Sequence, residues 1–317
     1  MATRTLNSSP SVLPLYARAA APLIPGASLL PFIPGRGGEI PETELVLPGV
    51  RPDAETVAAY ARVCGFSLRN HLPPTYPQVL AFPLHMAVMA DGRFPFGAVG
   101  LVHIGNRIVQ HRPLGLDEEL KLTVRPTPLE PHKRGKTFGL VTEAWTGRRK
   151  AWESVTTILH RGKGVEQPAD GPQSGQIGRF EARRPEETEL AVNAEWRLGG
   201  DLGRRYAAVS GDRNPIHMHS LTAKPLGFPS AIAHGMWTKA RCLAALEGRL
   251  PDAFAIEVAF RKPILLPAKV EFLSDLDGEE IEFSVRDAKR HTPHLDGTVR
   301  PVEAKNAPNE TSTRRSR

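Results

Sequence analysis

Between Tyr206 and His219 the chain reads YAAVSGDRNPIHMH, in which a carboxylate and an imidazole, Asp212 and His217, stand five residues apart. An imidazole exchanges protons near neutral pH, and a nearby carboxylate can orient it or act as a second acid or base on the same small cavity. Pro215 fixes its own φ and biases Asn214 towards extended backbone, so the side chains on either side are held in place. Gly211, Asp212 and Asn214 are also the residues of an ordinary turn after a helix. The segment is therefore expected to be a turn whether or not it is a catalytic pair, with Asn214 holding the loop by hydrogen bonding. Downstream, AHG at Ala233 to Gly235 opens a helix. The N–H of Gly235, at a helix N-terminus and with no side chain in the way, suits a carbonyl oxygen that gains negative charge. His234 beside it is expected to shape the pocket.

Helices and strands have to position these groups, and their order occurs twice. YARVCG at Tyr60 echoes YAAVSG at Tyr206, an offset of 146. FPLHMAVM, with His85, lies opposite SAIAHGMW, with His234, at an offset of 149; QHRPL ending at Leu114 parallels FRKPI ending at Ile264 at 150. A near-constant offset is the mark of a duplicated fold. In the second half a short helix is expected around Leu202 to Val209. A longer one, with apolar residues at Met236, Ala240, Leu243, Ala244 and Leu246, should stop at Gly248 and Pro251. Strand-like runs follow: AIEVAFRKPI, KVEFLSDL, EIEFSVRDA and GTVRPV. The first half offers VGLVHIGNRI, LKLTVRPT, TFGLVTEAWT and AWESVTTILHR after the region of Leu80 to Ala90. An α+β fold with an antiparallel sheet wrapped round a helix in each half is expected.

The 317 residues exceed one typical domain. Five segments are expected: an irregular arm (1–43), a first half (44–161), a Gly, Gln and Pro-rich linker (162–178), a second half (179–302) and a polar, basic, disordered tail (303–317). Cys64 and Cys242 have no metal-like spacing and form no disulfide framework. The prolines of the opening residues break any signal peptide, and no apolar run reaches the length of a membrane span. A cytoplasmic protein is expected. The formal charge of +7 and pI near 9.6 favour a polyanionic partner. Scattered basic residues, 6% aromatics and no recognisable finger or RNA-binding signature argue against nucleic acid. GAVGLVHIGN lacks the spacing and following helix of a dinucleotide site. Arg261 and Lys262 in FRKPILLP are candidates for phosphate contacts, an edge-strand charge pair being the other reading. No metal site is expected, and the histidines outside the motif, His103 and His85 among them, are read as structural or exposed.

The segment Tyr206 to Trp237 resembles the hydratase signature of the MaoC-like family, the (R)-specific enoyl-thioester hydratases and 3-hydroxyacyl-thioester dehydratases with the hot-dog fold. A degenerate first half ahead of an active second half is similar to the double hot-dog members. The resemblance implies that Asp212 and His217 are the catalytic pair and Gly235 the oxyanion donor. It implies acyl esters of coenzyme A or an acyl-carrier protein as substrates, and no metal or redox cofactor. At an offset of 146 the first half places Phe66 opposite Asp212 and His71 opposite His217, so it should not catalyse; the resemblance gives it the acyl chain instead. Which of Asp212 and His217 is acid and which is base stays open. A thioesterase on the same fold and a non-catalytic acyl-binding subunit are the alternatives, and a monomer or a homodimer of such chains would fit.

Overall fold

Strands recur wherever every second residue is apolar, as in Ile281, Phe283 and Val285, which are buried while Glu282 and Ser284 between them are less so. The computed structural model describes residues 2–20, 35, 38–97, 100–162, 190–275 and 280–303. In chain order these give β1 (Ala2–Thr5), α1 (Val12–Ala20), β2 (Thr43–Val50), α2 (Ala54–Cys64), α3 (Tyr76–Met89), β3 (Leu101–Gln110), β4 (Leu120–Pro126), β5 (Glu130–His132), β6 (Gly135–Thr146) and β7 (Arg149–Arg161). The second set is β8 (Val192–Leu198), α4 (Leu202–Ser210), α5 (Pro215–Met218), α6 (Ser220–Ala223), α7 (Gly235–Ala245), β9 (Phe254–Phe260), β10 (Ala268–Asp275), β11 (Ile281–Asp287) and β12 (Pro293–Pro301).

All twelve strands join one sheet, in the order β1-β2-β4-β6-β7-β3-β9-β12-β11-β10-β8, with β5 paired to β6. The two expected sheets thus run on into each other where β3 pairs antiparallel with β9. In that register Arg107 faces Glu257, and their side chains form an ion pair of 2.8 Å. The two residues differ by 150, the offset at which β3 and β9 also end together. They are therefore each other's counterpart, and the approximate two-fold relating the halves passes between them. Helices α2 and α4 pack together near the same axis, with Tyr60 and Tyr206 at 6.0 Å between ring centres.

The first half encloses α3, which is apolar nearly all round, as a helix wrapped by sheet must be. The second half encloses α7, and at its centre lies a charged residue type: Lys239 is fully buried. Its Nζ donates to Asn106 Oδ1 at 2.6 Å, to the Asn106 carbonyl at 3.1 Å and to the Ile256 carbonyl at 3.4 Å. One amino group thus ties α7 to both strands of the seam, and burial pushes its pKa well below the usual lysine value. Cys64 and Cys242 are both buried free thiols.

Three expectations need correction. Over residues 2–20 the arm is not irregular: β1 pairs parallel with β2, and α1 packs against α3, while residues 21–34 lie outside the described residues. Its Pro14 falls at the third helical position, where the missing N–H would have had no intrahelical acceptor. Second, the echo slips between the short and the long helix of each half. Glycines 65 and 211 both end their helices in the left-handed conformation, at φ 86° and 75°. From there ten residues, 66–75, lead to α3, whereas twenty-three, 212–234, lead to α7. His71 forms an isolated bridge with Gly115, and the matching bridge joins Ile232 to Leu265. His71 is thus the counterpart of Ile232 and not of His217. Third, His85 sits in mid-helix, while His234 precedes α7 as Thr75 precedes α3, so those two histidines are not equivalent. Residues 163–178 of the expected linker and 304–317 of the tail lie outside the described residues.

Lys239→Ala removes three donor contacts and opens a cavity at the seam, so it is expected to lower stability by about 3 kcal/mol or more. Urea denaturation of the variant against the parent chain measures the difference.

Candidate active site

The left-handed Gly211, which returns its N–H to the Ala207 carbonyl, turns the chain out of α4 and delivers Asp212 to the wall of a cavity. Asp212 Oδ1 accepts the Asn214 N–H at 3.1 Å, and Asn214 Oδ1 in turn accepts the Ile216 N–H at 3.3 Å, capping α5 at Pro215. One turn of helix later, His217 is buried with Nδ1 2.8 Å from the Ile232 carbonyl oxygen. A carbonyl only accepts, so Nδ1 carries the proton and Nε2 of the neutral ring presents a lone pair. The close approach of α5 to α4 depends on Gly203, because a Cβ there would run into the His217 carbonyl.

His234 packs against this pair from the start of α7. Its ring stacks on His217 at 3.6 Å between centres, and its Nε2–H donates to the Asp212 carbonyl at 3.0 Å. Nε2 also lies 3.8 Å from Asp212 Oδ2, while Nδ1 is buried with no partner among the described residues. The candidate ligand atoms of Asp212, His217 and His234 lie within 4.8 Å of one another. Gly235 follows as the first residue of α7; its N–H precedes the first intrahelical acceptor, and a Cβ there would sit 2.9 Å from the Phe260 ring. A fourth contact comes from the N-terminal arm, where the Tyr16 hydroxyl donates to Asp212 Oδ1 at 2.8 Å.

Burial would raise the Asp212 carboxyl, but the two histidines, the Tyr16 hydroxyl and the Asn214 N–H together hold it below its ordinary value. Burial lowers His217, with Asp212 and the Ile232 carbonyl pulling the other way. It pushes His234 down to about 3, helped by the neighbouring His217. At neutral pH the site therefore holds a carboxylate beside two neutral imidazoles. Burial keeps the Tyr16 phenol protonated, with the Asp212 carboxylate acting in the same direction, so it remains a donor.

A cavity of about 400 Å³ opens beside Asp212. Much of its wall belongs to the first half, including Phe82, Met86, Leu140 and Ile158. Arg261 and Lys262 follow directly on Phe260, the residue that abuts Gly235. Arg261 is engaged in an ion pair with Asp296 at 2.6 Å, while Lys262 is exposed. Sequence reasoning missed Tyr16, Gly203 and His103. His103 lines the cavity, and its ring meets the edge of Phe260 at 4.7 Å between centres. Alternation along GLVHIGN, which puts His103 on the same face as Leu101, was the signal available for that residue.

The family model described as MaoC like domain matches residues 183–297. Over 296 residues the chain is 38% identical to 3-hydroxyacyl-thioester dehydratase X of Mycobacterium tuberculosis, covering 92% of this chain and 99% of that protein. The crystal structure of HtdX from M. tuberculosis superposes with a TM-score of 0.70 at 37% identity, over 82% of this chain and 100% of that one. A conserved M. tuberculosis protein described as having a double hotdog fold shares the fold alone, with a TM-score of 0.51 at 13% identity, over 80% of this chain and 92% of that one. The fold is a double hot-dog.

Gly203→Ala drives a methyl group into the His217 backbone, so it is expected to cut turnover by tenfold or more while the protein still folds. Steady-state kinetics alongside circular dichroism separates the two effects. Stability has its own pH dependence. Burial holds His85 and His234 near 3 and His103 near 4, against about 6.5 in an unfolded chain. Above pH 6.5 all three are neutral in both states and their stabilisation is complete. As pH falls from there towards 3 to 4, only the unfolded chain takes up protons. Stability then drops by up to about 1.4 kcal/mol per pH unit for each histidine. Denaturation midpoints compared at about pH 7.5 and pH 5 should show the loss; equal midpoints would contradict it.

Proposed function

Because the chain belongs to the MaoC-like dehydratases, we propose that Asp212 and His217 carry the reversible (R)-specific dehydration of 3-hydroxyacyl thioesters, with the Gly235 N–H as oxyanion donor. The enzyme is a hydro-lyase of fatty-acid metabolism. The observation that carries the residue assignment is the pinned imidazole. His217 Nδ1 is committed to the Ile232 carbonyl, which leaves Nε2 as a lone pair on a ring clustered with Asp212, and Asp212 lines the cavity.

In the hydration direction a water held between Asp212 and His217 loses one proton to the pair as its oxygen bonds to C3 of the trans-2-enoyl thioester. A proton from the pair then reaches C2 on the same face. Negative charge that builds on the thioester oxygen meets the Gly235 N–H at the start of α7. Dehydration reverses these steps. The pair begins with no proton to spare, takes one from the water and returns it to C2, so its protonation state is restored within each turnover. Asn214 and Pro215 hold the loop, and His234 anchors it by its bond to the Asp212 carbonyl. Tyr16 occupies one carboxylate oxygen and thereby leaves Oδ2 for substrate. Proton transfers and one N–H donor complete the reaction as written, with no call on a metal or redox cofactor. Carriers of the acyl group are coenzyme A or an acyl-carrier protein, whose phosphates Lys262 and Arg261 would meet. On the same reading the enzyme works in the cytoplasm, as a monomer or homodimer. Among the described residues no helix is long and apolar enough to cross a membrane.

Hydration of crotonyl-CoA, followed by loss of enoyl absorbance, tests the assignment. Asp212→Asn and His217→Ala should each lower kcat/KM by a hundredfold or more, and Tyr16→Phe by about tenfold, with folding retained. Full activity in either of the first two variants would remove that residue from the catalytic pair.

A further inference from the structure

Beyond the reacting pair the cavity suits hydrocarbon, and one of its walls comes from outside both halves. Among the described residues that line it, the formal charges are those of Asp212 and Arg213 alone, both in the turn after α4. Its polar side chains in the first half are engaged. Lys239 donates to Asn106 Oδ1, so the Asn106 amide nitrogen donates onward to Thr156 Oγ1 at 3.1 Å, which also accepts from Gln78 Nε2 at 2.9 Å. His85 Nε2 lies 2.7 Å from Thr142 Oγ1. Phe82 reaches the turn at Gly211, where an added Cβ would lie 3.7 Å from its ring. From there Met86 and Met89 continue the same face of α3 for about another 10 Å. With Met236, three of the chain's five methionines line this cavity, and such unbranched, adaptable side chains fit acyl chains of more than one length.

The N-terminal arm supplies a further wall. On α1, Leu13 and Tyr16 are three residues apart, share a face and line this cavity, while Leu15 and Arg18 line a separate one of about 470 Å³. The bond from the Tyr16 hydroxyl to Asp212 Oδ1 ties α1 to the reacting pair, and Leu13 stands about 4.5 Å further along the helix. Leu13 is 70% exposed. A single exposed leucine needs no explanation on an ordinary surface, but this one stands on a cavity wall, where a chain that reaches it removes its side chain from water. We infer that Leu13 is a specificity-determining residue that reads acyl length: a chain that ends beside Asp212 and Tyr16 leaves it in water, and a longer chain covers it. The inference rests on the acyl-thioester reading above and goes beyond it, in that the arm, and not only the first half, selects the substrate.

The test compares trans-2-decenoyl-CoA with crotonyl-CoA on the full-length enzyme. Leu13→Ala should lower the decenoyl-to-crotonyl ratio of kcat/KM about fivefold or more, carried mainly by KM, and Leu13→Met should restore it. Because Leu13 is exposed, truncating it removes little packing, and both variants should fold. Calorimetric binding of butyryl-CoA and decanoyl-CoA makes the same comparison without turnover. An unchanged ratio overturns the inference, and so does an equal loss on both esters, which would set Leu13 against the carrier arm common to them. Failure of the wild type to hydrate either ester sinks the dehydratase reading, and the ratio of Kd values then decides for Leu13 by itself.

Discussion

A single amino group buried at the seam sets the relation between the two halves and the site. Lys239 belongs to α7, the helix whose first N–H is assigned to the developing oxyanion, and its three acceptors come from β3 and β9. A donor with no water to fall back on must find those acceptors, so the helix cannot slide or rotate without leaving them bare. The position of Gly235 is thereby referred to the central strands of the sheet. The same bond fixes which way the Asn106 amide faces, and with it the polarity of the hydrogen bonds that reach into the first half.

The halves differ most in what links the short helix to the long one. In the first half ten residues suffice, and the chain runs directly from Gly65 to the start of α3. In the second, twenty-three residues make room for α5, α6 and the turn after them, and this excursion carries His217 against Ile232 and leaves Asp212 on the cavity wall. The first half therefore differs by more than having Phe66 where the second half has Asp212. The segment that would present an imidazole is missing as well.

Period and punctuation made most of the elements legible in the sequence. The alternating runs became β9 to β12 and β3, β4, β6 and β7, and Gly211 ended α4 where turn chemistry required. Asp212, His217, His234 and Gly235 were recognisable because they lie in one continuous stretch whose spacing is set by local geometry. What stayed hidden depends on distant contacts. Tyr16 lies 196 residues from Asp212, in a stretch whose prolines read as breakers although Pro14 sits where a helix tolerates it. Lys239 shares the apolar face of α7 with Met236 and Leu243, but nothing in the local pattern points to the acceptors on other strands that allow a lysine to be buried there. The echo was misaligned at His71 because a constant offset cannot reveal an insertion that later deletions largely cancel.

The ion pair between Arg107 and Glu257 lies where the approximate two-fold crosses the sheet, and its side chains are partly exposed, so its energy is small. Its information content is larger. Were the two halves separate copies of one chain, a residue on the axis would face its own duplicate, and any charge there would meet the same charge. Covalent fusion removes that restriction, and opposite signs at the axis have become possible. The pair thus marks a commitment of each half to the other: two copies of either half, docked in the same way, would set arginine against arginine or glutamate against glutamate.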